Sequence, residues 1–333
     1  MEPALELEPE GARIDDALEA LQRLDDEIRK AFIGQDKLVE GVLVGLLARG
    51  NLLLEGLPGL GKTWLVKSLA EALSLDFSRI QFTPDLMPAD VTGAEALVDT
   101  DQGQQIRFRP GPLFAHVVLA DEINRATPKT QAALLEAMQE QAVTAGGVRR
   151  ELEAPFFVIA TQNPVEMEGT YPLPEAQLDR FLFKLDVPFP SLAELREIGV
   201  RTSGLEMPTL EPVLDRQGLL DLQVLASQIV VAPYLADYAA RLVMASHPAC
   251  PKAPEIVRKF VRYGASPRAV QALLQAGRAQ ALVRGKAWAS TEDLRRIAPA
   301  ILRHRILLGF EADLDGLRTD VIVAKLLETV PEE

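Results

Sequence analysis

Between about residues 30 and 188, short apolar runs bounded by Gly, Pro or charge alternate with longer segments whose apolar positions recur at i, i+3, i+4 and i+7. The short runs predict strands at NLLLE (51–55), RIQF (79–82), VVLAD (117–121), FFVIAT (156–161) and FKLDV (183–187), each apolar enough to be buried on both faces. Helices are expected at 36–48, 62–73 and 128–141, the last carrying Ala133, Leu134 and Met138 on one stripe. That alternation predicts an α/β domain built on a parallel sheet. Two segments break the rhythm and read as hairpins: 95–108, turning at Asp101-Gln102-Gly103, and 142–153, turning at Gly146-Gly147. After residue 191 the strand signals stop and the apolar spacing is helical, with Ser266 before Pro267 and Ser290 or Thr291 before Glu292 as helix starts. The chain therefore divides into an acidic arm with a leading helix (1–29), an α/β domain (30–190) and an all-helical domain (191–333).

Composition narrows the function classes. With 48% hydrophobic and 25% charged residues the chain can bury real cores, and its longest apolar stretches fall short of the roughly 20 residues a membrane span requires. The first residues lack the basic flank and apolar core of a secretory signal, so cytoplasmic residence is the default expectation. A formal net charge of -13 repels polyanions, which makes nucleic acid a disfavoured partner. The strongly acidic first 27 residues read as a solvated arm. One cysteine, Cys250, excludes an internal disulfide, and His116, His247 and His304 have no metal-ligand spacing.

The chemistry starts where NLLLE runs into GLPGLGKT, a match to G-x-x-x-x-G-K-[ST] between a strand and an amphipathic helix. A loop that wraps phosphates must turn several backbone N–H groups inward, and Gly56, Gly59 and Gly61 permit that turn, with Pro58 and Leu60 between them. Lys62 is placed to neutralise the β and γ phosphates of ATP and Thr63 to ligate Mg²⁺, with Trp64 next in the same helical turn. At a Gly frequency of about 7%, a chance match in this length is roughly a one-in-a-hundred event. The strand VVLAD then delivers Asp121 and Glu122 to its carboxyl end, the edge where ligands bind in open α/β sheets. There Asp121 suits the metal's water shell, and Glu122 suits deprotonation of the attacking water. FFVIATQNP ends at Asn163, a neutral amide able to position that water, although a plain turn before Pro164 reads the same residues almost as well.

Taken in order, GLPGLGKT, LADEIN, IATQNP, LDRF and SPRA follow the sequence of motifs in AAA+ ATPases. Longer phrases, among them RIQFTPDLMPADVTG, LADEINRATPKTQAALLEAMQE and ATQNPVEMEGTYPLPEAQLDRF, resemble the MoxR branch over about residues 30 to 310. The resemblance implies an AAA+ nucleotide-binding domain of five parallel strands, a helical lid, and assembly into a ring, usually a hexamer, with nucleotides between subunits. It further implies that Arg180 is an arginine finger reaching a neighbour's γ phosphate, that Arg268 is the lid arginine called sensor 2, and that Ile33 and Gly34 pack on adenine. Arg125 sits in the family phrase EINRA with its role open. The two hairpins resemble those of the helix-2-insert group and would face the ring's centre. Such proteins are chaperones that remodel clients or assist metal or cofactor insertion, often with a von Willebrand factor A domain partner. Three alternatives stand beside this: a nucleic-acid translocase, which the acidity disfavours; a sigma-factor activator, whose loop and DNA-binding domain are not visible; and a magnesium-chelatase-like motor subunit. His116 and Ala120 depart from the usual acid-bearing strand, and the acidic arm has no recognised counterpart.

Overall fold

A computed structural model describes residues 11–100, 103–164, 170–203 and 209–332. In chain order it runs α1 (Gly11–Ala31), α2 (Asp36–Leu47), β1 (Leu52–Glu55), α3 (Lys62–Ala72), β2 (Phe77–Gln81), α4 (Pro88–Thr92), β3 (Gly93–Thr100), β4 (Gly103–Pro110), β5 (Val117–Asp121), α5 (Pro128–Glu140), β6 (Ala142–Ala145), β7 (Val148–Glu151), β8 (Phe157–Gln162), α6 (Glu175–Leu178) and β9 (Phe183–Asp186). The remainder is α7 (Leu192–Thr202), α8 (Arg216–Gln228), α9 (Pro233–Ala245), α10 (Glu255–Phe260), β10 (Val261–Tyr263), α11 (Arg268–Val283), α12 (Thr291–Leu302), β11 (Leu307–Leu308), α13 (Phe310–Leu314) and α14 (Thr319–Thr329).

Five strands form one parallel sheet in the order β2-β5-β8-β1-β9. Alternation explains why each run is apolar throughout. Leu52, Leu54, Val117, Leu119, Phe157 and Ile159 point into a core shared with α2, α3 and the helices beyond residue 191. Leu53, Val118, Ala120, Val158 and Ala160 point the other way, onto Leu134, Leu135 and Met138 of α5. Both hairpins are present as antiparallel pairs, β3 with β4 and β6 with β7. Residues 101 and 102 of the first predicted turn lie outside the described residues, as do 1–10 of the acidic arm and 165–169 of the family phrase. The hairpin β3–β4 leaves only five residues of helix, α4, between β2 and β5.

The solvated-arm reading fails for residues 11–27. They belong to α1, whose Ile14, Ala17, Leu21, Leu24 and Ile28 are buried at alternating spacings of three and four. The acidic residues occupy mainly the opposite face. Charge density alone was a poor guide here, because an amphipathic helix carries its charge outward while its apolar stripe packs. Buried Glu27 also accepts from the Glu211 backbone N–H at 2.9 Å, tying α1 to the segment before α8.

The helices after residue 191 gather around α11, which packs on α12, α9, α8 and α2. A short antiparallel pair, β10 with β11, interrupts the helices of the lid where apolar spacing predicted no strand. Glu40 of α2 takes both arms of Arg296 of α12, at 2.9 and 2.7 Å, and Gln280 at 2.8 Å, so the lid is fastened to the back of the sheet domain. No helix among the described residues is long and apolar enough to cross a membrane.

Candidate active site

All five strands of the sheet point the same way, so whatever follows β1, β5 and β8 gathers at one edge. The loop Gly56 to Gly61 leaves β1, Asp121 and Glu122 end β5, and Asn163 follows β8, which pairs with both. The Gly56 N–H donates to Gln162 O at 3.2 Å, joining the loop's start to the residue before Asn163. A side chain at Gly56 would press on Val187, whose Cβ and carbonyl oxygen lie 2.8 and 2.9 Å from the position a Cβ would take, so only glycine lets β9 approach this closely. Gly61 caps α3 at φ 80, a left-handed conformation that turns the chain into the helix. Leu57, Pro58, Gly59 and Gly61 are exposed, Leu60, Thr63 and Trp64 half-buried, and Lys62 buried. The exposed loop amides and the start of α3 make an anion cradle.

The Lys62 ammonium donates to Gly56 O at 2.6 Å. Burial lowers its pKa, while the carboxylates of Asp121, Glu122 and Glu55 oppose that shift. Lys62 thus feels both acids across the cleft, which is the electrostatic mark of a converged site.

Thr161, fully buried in β8, holds the acid pair in place. Its hydroxyl donates to Asp121 Oδ1 at 2.6 Å and accepts from the Glu122 N–H at 2.8 Å. Arg79 donates to Asp121 Oδ2 at 3.2 Å through Nε and at 2.7 Å through a terminal nitrogen. Glu122 has φ 56, uncommon for a residue with a side chain, and this left-handed turn swings its carboxylate out of the β5 line into a short 3-10 turn, Ile123–Arg125. Gln81 and Arg125 donate to Glu122 Oε2 at 2.8 and 2.9 Å. Behind this turn, Gln131 is fully buried with Nε2 at 3.1, 3.1 and 2.9 Å from the carbonyl oxygens of Ile123, Ala126 and Tyr171. Asn163, which follows β8, is buried.

Sequence reasoning missed Thr161, Arg79, Gln81 and Gln131. The available signal was polarity out of place: Arg79 and Gln81 two apart in an apolar edge strand, and Thr161 inside FFVIAT. Oxygen donors suit a hard cation such as Mg²⁺, and the Asp121 carboxylate at the end of β5 and the Thr63 hydroxyl in the first turn of α3 are the ones that would hold it. When bound, the ion would neutralise charge on the β and γ phosphates. Ile33 and Gly34 lie in the bend between α1 and α2, half-buried, with Phe32 packed near Gly61. The indole of Trp64 donates to Ala31 O at 2.8 Å, so α3 is pinned to that bend and the Trp64 side chain is committed to packing.

Arg180 and Arg268 are at the other edge. Both line a cleft of about 280 Å³ with Arg49, Gly50 and Asn51, which precede β1, whereas the phosphate loop follows it. At about 3.3 Å per strand residue the two edges are some 15 Å apart. Arg268 begins α11 beside Asp179, which lies 3.6 Å from it and accepts from Ser266 Oγ at 2.9 Å.

Residues 51–183 match the model of the ATPase family associated with various cellular activities (AAA), and residues 253–326 match the AAA lid domain. The chain is 43% identical to the chaperone MoxR1 of Mycobacterium tuberculosis, over 98% of this chain and 86% of that protein. It is 34% identical to the protein MoxR of Methylorubrum extorquens over 98% of each. A candidate ATPase from Cytophaga hutchinsonii, known from its crystal structure, superposes with a TM-score of 0.90 at 36% identity, covering 96% of this chain and 97% of its own.

Proposed function

The chain belongs to the MoxR family of AAA ATPases and hydrolyses ATP, and we propose that it does so as a ring-forming motor that remodels client proteins. The observation that carries this reading is the convergence of Lys62, Asp121, Glu122 and Asn163 at one sheet edge while Arg180 and Arg268 sit at the opposite one. Each chain then holds half of two sites. ATP lies in the Gly56–Thr63 cradle with Mg²⁺ at Thr63 and Asp121, Glu122 takes the proton of the attacking water, and Asn163 orients that water. A neighbour's Arg180 and Arg268 meet the γ phosphate, where a guanidinium stabilises transition-state charge. Such a division requires a closed assembly, for which a hexamer is the expected form, and the cytoplasm is where its ATP is available.

Client remodelling is supported by the chaperone name of the Mycobacterium tuberculosis relative. A von Willebrand factor A domain partner and assistance in metal or cofactor insertion belong to the same proposal. Nucleic-acid translocation is disfavoured by the hairpins' own arginines. In the second hairpin Arg150 stacks over Phe108 at 3.8 Å and Arg149 pairs with Glu151 at 3.0 Å, and Arg107 and Arg109 are the only basic residues of the first, against a net charge of -13. The test is phosphate release and nucleotide affinity of the assembled protein. Lys62→Ala is expected to lose binding, and Glu122→Gln to keep it while turnover falls by about 10² or more, the effect of removing a general base. Wild-type turnover in Glu122→Gln would remove that residue from catalysis.

A further inference from the structure

Arg305, just past α12, is a lid residue buried against the sheet domain, at 8% exposure. A guanidinium that deep is costly to desolvate unless its donors are met. Here they are met by one short stretch of chain. Nε donates to Asp179 Oδ1 at 2.8 Å, and the terminal nitrogens donate to the carbonyl oxygens of Asp179 (3.3 Å), Phe181 (2.7 Å), Leu182 (3.0 Å) and, in the last turn of α12, Ile301 (2.6 Å). His304 Nε2 lies 3.0 Å from the same Phe181 oxygen. Of residues 179–182, the one Arg305 leaves out is Arg180. The Arg180 side chain leaves this clamp and donates to Leu135 O at 2.9 Å. The Asp179 carboxylate also takes Ser266 and neighbours Arg268, both at the start of α11.

A buried ion pair adds little net stability over a well-packed apolar pair, so stability alone gives no reason for this one. A planar fork that grips the backbone on both sides of one residue does have a geometric consequence: it fixes where that residue's side chain leaves the chain. We propose that Asp179 and Arg305 are positioning residues, a lid-borne clamp that holds Arg180 at the angle needed to reach a neighbouring copy's nucleotide. Movement of the lid then moves Arg180, and one subunit's lid governs hydrolysis in the next. This rests on the reading of Arg180 as acting between subunits.

The experiment uses the full chain and three variants, Arg180→Ala, Arg305→Lys and Asp179→Asn, each alone and each mixed with Lys62→Ala. Lys62→Ala subunits hold no nucleotide but keep an intact Arg180 segment. Alone, Arg305→Lys and Asp179→Asn should bind a fluorescent ATP analogue as wild type does while kcat falls by about 10²-fold, the scale of a 1 Å misplacement. Adding Arg180→Ala to either should lower kcat no further than Arg180→Ala alone does. Mixing with Lys62→Ala should restore turnover, because the mixed interface pairs a sound nucleotide site with a sound Arg180. If Arg180→Ala is rescued on mixing and the clamp variants are not, the clamp acts on its own subunit's site and the inference is overturned, with Arg180's role intact. If Arg180→Ala itself is not rescued at any ratio, the between-subunit reading fails and the clamp proposal with it. Loss of folding in both clamp variants, seen by circular dichroism, would assign the pair to fastening the lid and would also overturn it.

Discussion

Replacing Thr161 with Val tests the claim that one hydroxyl holds the two acids in register. The side chains are nearly isosteric, so no cavity forms in β8 and the change isolates two hydrogen bonds, the 2.6 Å bond to Asp121 Oδ1 and the 2.8 Å bond from the Glu122 N–H. A hydrogen bond to a charged group contributes about 1.5–3 kcal/mol, and a buried N–H left without an acceptor costs about 1–3 kcal/mol. Asp121 keeps its contacts to Arg79, which places the sum near the lower end, about 3 kcal/mol. At about 2.1 cal/mol/K of unfolding entropy per residue, the melting midpoint should fall by about 4 °C if the whole chain melts together, and by about 9 °C if the α/β domain melts alone. Calorimetry of the nucleotide-free protein reads this shift directly. Catalysis should fall as well, by about 10²-fold in kcat, because a Glu122 backbone freed from Thr161 no longer fixes its carboxylate. Thr161→Ser keeps the hydroxyl and loses one methyl, so its loss should be about 1 kcal/mol with kcat near wild type. If the Val and Ser variants melt together and turn over ATP alike, the hydroxyl is not what organises the acids.

Two further outcomes are expected. Burial, with a smaller contribution from adjacent Arg305, holds the His304 ring neutral and its pKa well below the ordinary 6.5. Below that value the unfolded chain takes a proton that the folded chain refuses, so stability falls with falling pH by at most about 1.4 kcal/mol per unit. His304→Gln should flatten the change in urea midpoint between pH 7 and pH 5, and an unchanged slope would clear His304 of it. Gln131→Leu strips the donor from three carbonyl oxygens behind the Glu122 turn, so it should destabilise the protein by about 3 kcal/mol. A urea midpoint equal to wild type would show that these carbonyls need no partner.

What one stretch of chain could express by itself was readable from the chain. The phosphate loop needs glycines at positions where no Cβ fits or φ is positive, and Gly56 and Gly61 announce this by identity and spacing. Strands buried on both faces need apolar residues at every position, so VVLAD and FFVIAT declared the sheet, and with them the edge at which Asp121, Glu122 and Asn163 gather. Periodicity likewise marked most helices after residue 191. A leading helix was expected within residues 1–29, but its packing was not, because its acidic face outweighed its apolar stripe in a reading by composition.

What only tertiary structure decided is pairing across long separations. Thr161 meets Asp121 across 40 positions and Arg305 meets Asp179 across 126, and neither residue type nor local spacing specifies a partner at that distance. The same holds for Arg268, whose position in the chain says it belongs to the lid but not which edge of the sheet the lid presents it to. That edge is set by α11 packing on α2 and by Ser266 and Arg305 closing on Asp179. A motif can be local because backbone geometry is local. A site assembled from several elements depends on which faces find each other when the core closes.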